Sequence, residues 1–168
     1  VTLAQVGHRI NEHFALKWEA FDLDASRPVV NIRHSVHSGD EGLYLGPTKG
    51  GYPRENIQIS QDLAGIVLEQ RAQQRADRLS PYVFPNALGN IQHSSNFRGR
   101  EWTELMLACG FASTKAEEGF VPHSLRHTHI TLSIKRGEDP KVVAHRVGHT
   151  DVALTLNVYR HVQEDDQH

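Results

Sequence analysis

The 168 residues hold 18 lysines and arginines against 20 aspartates and glutamates, a formal charge of −2 with the 12 histidines neutral. That length suits one domain with a real core, and 38% hydrophobic with 23% charged residues is ordinary for a globular chain. No apolar run nears the ~20 residues of a membrane span, no basic, cleavable leader is visible, and the single Cys109 excludes an internal disulfide.

A lone cysteine suits a reducing compartment, and the expected location is the cytoplasm. The slightly negative charge is unlike that of most nucleic-acid binding domains. Net charge is an average, however, and clustered basic residues can make a positive cleft in a neutral chain. The acidic tail QEDDQH (163–168) would mask such a cleft in the sum.

Residues 4–18, AQVGHRINEHFALKW, place Val6, Ile10, Phe14 and Trp18 at helical spacing and predict a helix. Arg9 lies beside that stripe with Glu12 one turn on, which on its own reads as a surface ion pair worth little. From 28 to 59 the character changes. PVVNIRHSV, GLYLGPTK and RENIQIS are short segments broken by SGDEG (38–42) and GGYP (50–53), and they predict a three-stranded antiparallel meander. Lys49 stands at the mouth of the second turn.

Ser60 to Arg78 reads as a helix with Ile66, Val67 and Leu68 inside, and 80–89 as a loop built on Pro, Asn and Gly. Ser94 to Cys109 predicts another helix, with Phe97, Trp102, Leu105 and Met106 as core and Gly110 as its stop. Arg98 and Arg100 on it are either phosphate contacts or solvated. The chain shows no internal repeat or low-complexity segment.

The stretch 123–159 is the most informative. His123 and Arg126 are three apart and so share a helix face, about 5–6 Å apart at Cβ. Gly137 closes that helix, and Asp139-Pro140 opens the next as N-cap and first residue. Gly148 ends the second helix before His149, Asp151 caps a third, and Tyr159 lies near the third helix's end. Short, rigid elements thus present several polar groups to one place.

HSLRHT (123–128) followed by VVAHRVGHTDVALTLNVY (142–159) closely resembles the catalytic core of the tyrosine recombinases, the phage-integrase family. Val147 stands where such proteins usually have Leu before Gly-His. GHRINEHFALKW is similar to that family's Gly-x-Arg-x-x-Glu pattern, and TKGGYPR to its hairpin lysine. The resemblance spans Gly7 to His161 and implies a mainly α-helical fold with a small three-stranded antiparallel sheet. It also implies that residues 1–168 are a catalytic-domain fragment, monomeric alone, with an N-terminal DNA-gripping domain absent.

By resemblance, Arg9 and Arg126 are the two catalytic arginines and Glu12 a buried helper. Lys49 is the general acid, His123 a proton acceptor, His149 a phosphate donor and Tyr159 the nucleophile. The implied activity is site-specific cutting and rejoining of double-stranded DNA through a 3′-phosphotyrosyl intermediate, in a DNA-bound tetramer and without a cofactor. The chemistry suits these groups. Planar, permanently charged guanidiniums clamp the non-bridging oxygens of a phosphodiester, and covalent capture conserves its energy for rejoining.

Three rival readings stand beside this one. Residues 124–148 also read as a helix–turn–helix DNA-binding module without chemistry. Type IB topoisomerases share the same chemistry, but their product is relaxed DNA. His123 and His127, four apart, could ligate zinc, although such a pair is only half a site. Tyr159 also shares a face with Val152 and Leu156, as a plain core tyrosine would.

Overall fold

The computed structural model describes residues 1–24, 26–77, 80–111 and 120–165, with side chains throughout except at 75–77 and 161–165. Gly7 decides how the chain begins. Its left-handed backbone (φ 69°) closes α1 (Thr2–Val6), and its N–H donates to the Leu3 carbonyl. A Cβ there would lie 2.5 Å from His129 Cδ2, so packing as well as φ requires glycine.

The chain restarts as α2 (Ile10–His13), with Arg9 as N-cap and Glu12 accepting the Arg9 backbone N–H at 2.8 Å. Trp18 then starts a 3₁₀ turn (Trp18–Ala20). The single helix expected over 4–18 is therefore two short ones. The apolar spacing survives the break, because Val6 and Phe14 are still buried and Ile10 and Trp18 half-buried.

The expected meander is also rearranged. The first predicted strand divides at Arg33 into β2 (Val29–Ile32) and β3 (His34–Gly39). β3 forms a hairpin with β4 (Gly42–Pro47), while β2 lies between β1 (Phe21–Asp22) and β5 (Arg54–Gln58) in a three-stranded antiparallel sheet. Two cores explain the split. Val30, Ile32 and Ile57 pack with Leu63 and Val67, whereas Val36 packs on Phe14 and Ala15.

β5 carries a bulge. Val30 pairs with Ile57 and Ile32 with Arg54, so Glu55 and Asn56 together oppose Asn31. Asn56 takes φ 54° and donates its N–H to Asn31 Oδ1 at 2.8 Å. Residues three apart on a regular strand face opposite sides; with the bulge, Arg54 and Ile57 both turn inward.

In α3 (Gln61–Asp77) the buried stripe is Leu63, Ala64 and Val67. Ile66 and Leu68, expected inside, are 42% and 44% exposed, because they lie about 100° to either side of Val67 on a 3.6-residue helix. Arg78, the expected helix end, lies outside the described residues. α4 (Ser94–Phe97) passes through a π-helical turn (Arg98–Trp102) into α5 (Thr103–Ala108). The wider turn brings Phe97 and Trp102, five apart, to ring centroids 6.3 Å from each other. Leu105, expected in the core, is 49% exposed one residue from buried Met106.

The C-terminal helices follow their capping signals. α6 (Pro122–Lys135), α7 (Pro140–Val147) and α8 (Val152–Asp165) share a core of Ile130, Val143 and Val147. Asp139 accepts the Lys141 N–H at 2.7 Å, and Asp151 that of Ala153 at 2.8 Å. Among the described residues no helix is long and apolar enough to cross a membrane.

Gly148 ends α7 at φ 74°, and a Cβ there would lie 3.0 Å from Arg54 Cζ. Gly148→Ala is expected to lower stability by about 1–3 kcal/mol, read as an earlier urea midpoint. An unchanged midpoint would show that neither the backbone conformation nor the Arg54 contact matters there.

Candidate active site

Helix α7 ends among three guanidiniums. The last carbonyls of a helix have no partner within it, and here arginines supply the donors. Arg126 Nη1 donates to the Val147 carbonyl at 2.5 Å and to the Gly7 carbonyl at 2.7 Å. Arg54 Nη1 donates to the same Val147 oxygen, and Arg9 Nη2 to the Gly148 carbonyl at 3.1 Å. The break at Gly7 and the turn at Gly148 thus serve one purpose, which is to aim backbone oxygens at buried cations.

One carboxylate answers these charges. Glu12 is 0% exposed, which replaces the surface-pair reading. Its Oε1 lies 3.2 Å from Arg9 Nη1, and its Oε2 lies 2.6 Å from Arg54 Nη2, close but out of line for a hydrogen bond. Three guanidiniums against one carboxylate leave two positive charges in excess. Arg126 is 2% exposed, and its Nη2 is buried without a hydrogen-bond partner. Burial, then the neighbouring Arg9, lowers its pKa to about 9, so it stays cationic at neutral pH. Buried charge of this kind calls for an anion.

His123 and His149 are neutral at neutral pH. Burial first, then His127, Arg126 and Arg9, lowers His123 to about 4. Burial, followed by Arg126 and Arg9, lowers His149 to about 4 as well. His149 Nδ1 lies 2.8 Å from the Thr155 hydroxyl. With that hydroxyl donating, Nε2 carries the ring proton and is a donor. His127 meets His123 edge to face at 4.8 Å.

A cavity of about 510 Å³ gathers five of the six residues singled out in the sequence: Arg9, Lys49, His123, Arg126 and His149. Lys49 is exposed on the loop after β4. That loop is tightened by the Thr48 hydroxyl on the Tyr52 carbonyl at 2.8 Å. An adjoining cavity of about 600 Å³ shares Arg9, Lys49 and His149 and adds Glu12 and Arg54. Tyr159 is not brought to the wall. It is half-buried on α8, four residues after Thr155, while Leu154 and Val158 line the cavity.

Sequence reasoning missed Arg54 and Thr155. Arg54 reads as the first residue of an ordinary strand, and only the bulge turns it inward. Thr155 did leave a signal, since a polar residue on an apolar helix stripe needs a partner when buried. Arg98 and Arg100 are exposed on the π turn. Among the described residues, no group of three or more His, Cys, Asp or Glu side chains is arranged to hold a metal.

The profile of the Phage integrase family matches residues 2–166. The chain belongs to this family. It is 29% identical over 173 residues to the integrase of Staphylococcus phage L54a, covering 96% of this chain and 46% of that protein. It is 25% identical to a XerC-like tyrosine recombinase of Caldanaerobacter subterraneus subsp. tengcongensis, covering 93% and 43%.

Among solved structures, a Tn1549 transposon integrase in complex with a circular intermediate DNA superposes with a TM-score of 0.78 at 21% identity, over 94% of this chain and 51% of that one. The XerH site-specific recombinase bound to its difH substrate gives 0.68 at 17% identity, over 98% and 42%. The phage-integrase fold is thus present across nearly the entire chain, which spans less than half the length of these two curated relatives.

Beneath the arginines, His8 is fully buried, with Nε2 3.1 Å from His13 Nδ1. Burial first, then Arg54 and Arg126, lowers it to about 3. A histidine lowered on folding stabilises the fold fully above its unfolded value of 6.5, and that contribution fades as pH falls toward 3. The melting temperature should therefore drop between pH 7 and 4.5, and less steeply in His8→Asn. Parallel melting curves against pH in the two proteins would contradict this.

Proposed function

We propose that this chain is the catalytic domain of a tyrosine-type site-specific recombinase. It would cut and rejoin double-stranded DNA through a 3′-phosphotyrosyl bond to Tyr159. One observation carries the reading: a single cavity lined by Arg9, Arg126, His123, His149 and Lys49 above a cluster with two positive charges in excess. That arrangement suits a phosphodiester and the extra charge of its five-coordinate transition state. The greater length of the relatives supports reading residues 1–168 as one domain of a larger protein, and the recombinase reading carries with it a tetramer assembled on DNA.

In this scheme Arg9 and the unpartnered Nη2 of Arg126 hold the non-bridging oxygens, and His149 Nε2–H donates to one of them. Neutral His123 accepts the phenol's proton as the Tyr159 oxygen bonds to phosphorus. The bond from phosphorus to the 5′ oxygen breaks, and Lys49 gives that oxygen its proton. Rejoining is the reverse. The phenol must first reach the cavity past Val158, through a shift of α8 or from the α8 of a second copy.

Tyr159→Phe removes only the phenolic oxygen and keeps the ring's packing. On a nicked suicide duplex selected by the protein from a random pool, this variant should form no covalent adduct while binding DNA normally. An undiminished adduct would remove Tyr159 from its role. DNA binding with no adduct from the unmutated chain would leave the helix–turn–helix reading.

Lys49 has a sharper test. Lys49→Ala should slow single-turnover cleavage by a factor on the order of 10²–10⁴. Sulfur in place of the bridging 5′ oxygen makes a leaving group that departs unprotonated, so Lys49→Ala should cleave that substrate nearly as fast as the parent. Arg126→Ala should gain nothing from sulfur, because its charge acts on the non-bridging oxygens. Equal impairment of Lys49→Ala on both substrates would make Lys49 a phosphate contact.

A further inference from the structure

Arg54 is as deeply buried as Arg126 but differently engaged. It is 3% exposed, with Nη1 on the Val147 carbonyl and Nη2 2.6 Å from Glu12 Oε2. Both ends of its fork thus face a partner inside the protein, Nη1 in a hydrogen bond and Nη2 in an ion pair without one, whereas Arg126 Nη2 has neither. We propose that Arg54 is a positioning residue that locks Glu12 to the turn at Val147–Gly148, and so fixes the Arg9 guanidinium and the His149 ring, without itself holding DNA. The proposal rests on reading this cavity as a phosphodiester-cleaving site.

The linkage runs in both directions from the one guanidinium. Through Nη2 it faces Glu12, whose other oxygen meets Arg9 Nη1 at 3.2 Å. Glu12 also receives the Arg9 backbone N–H at 2.8 Å, so fixing the carboxylate fixes both ends of Arg9. Through Nη1, Arg54 grips the carbonyl just before Gly148 and His149, an oxygen it shares with Arg126. Arg54 lies against Gly148 closely enough that no Cβ fits between them. A planar fork spans two acceptors in fixed geometry, which the single ammonium of lysine cannot do.

The bulge in β5 makes this possible. Ile57 faces the core, and on a regular strand Arg54, three residues before it, would face solvent; the bulge turns it back inward. Asn56 accepts a left-handed backbone (φ 54°), and Asn31 Oδ1 holds its N–H. A strained residue in a short strand is thereby spent on turning one arginine into the site.

Arg54→Lys is the main test because it keeps the charge and loses the fork. The first readout needs no activity: a pH titration of the His149 imidazole by nitrogen-15 NMR. The ring is expected to titrate near 4 in the parent and to move upward toward 6.5 in Arg54→Lys as the turn loosens. Arg54 is not among the charges that lower His149, so a shift reports displacement of the ring rather than loss of a field.

The second readout is single-turnover cleavage, expected to slow on the order of 10²-fold while DNA affinity stays within about twofold. Should Arg54→Lys fail to fold, Asn31→Ala, which frees the bulge, should move both readouts the same way by a smaller amount. A lowered melting temperature with His149 and the cleavage rate unmoved would reduce Arg54 to a structural residue and overturn the proposal. A parent chain that makes no adduct, but whose His149 shifts in Arg54→Lys, would overturn the recombinase reading and leave the positioning role standing.

Discussion

The carboxylate of Glu12 lies between the guanidiniums of Arg9 and Arg54 with no solvent contact, while Arg126 and Arg54 meet at one carbonyl oxygen. Burying cations is expensive unless each finds charge or dipole to face. A single carboxylate answers only part of three positive charges. The remainder is met by backbone oxygens at the negative end of α7 and at the break between α1 and α2. Peptide dipoles, which are partial anions, hold these arginines. A phosphate, as a full anion, would complement the excess positive charge.

The fold is arranged to satisfy that cluster. Its members come from Gly7–Glu12, from Arg54 at the start of β5, from α6 and from the end of α7, segments distant in sequence and otherwise packed into separate cores. Three backbone irregularities bring them together: the left-handed glycines at 7 and 148, and the bulge at Asn56. Each gives up regular helix or strand geometry to bring a carbonyl or a side chain within reach. The same crowding acts on the histidines, since burial among guanidiniums keeps His123 and His149 neutral at neutral pH.

What could be read from the sequence was what local chemistry determines. Gly137, Asp139-Pro140, Gly148 and Asp151 punctuate the C-terminal helices as read, because caps and left-handed turns are settled within a few residues. The ordered His, Arg, Gly-His and Tyr signature pointed to the family that the profile match shows. Five of the six residues that the wider resemblance singled out, Arg9 and Lys49 included, line one cavity.

What could not be read depended on distant partners. The break after Val6 is set by packing against His129, the division of the first strand by two competing cores, and the inward turn of Arg54 by a bulge across from Asn31. Tyr159 is the instructive case. Its place in the chain order was legible, but its position beside the cavity wall rather than on it depends on how α8 docks.

The central claim is that the arginine cluster is a built site for a phosphodiester anion, and it can be tested without knowing any DNA sequence. Dimethyl phosphate titrated into the protein at low ionic strength, followed by NMR of the arginine and histidine side chains, is the direct measurement. Saturable shifts at Arg9, Arg126 and His149, a rise in the His149 pKa on binding, and loss of all three in a folded Arg126→Met variant are the predicted result. Shifts confined to exposed arginines such as Arg98 and Arg100, or shifts at the cluster that persist in Arg126→Met, would contradict it.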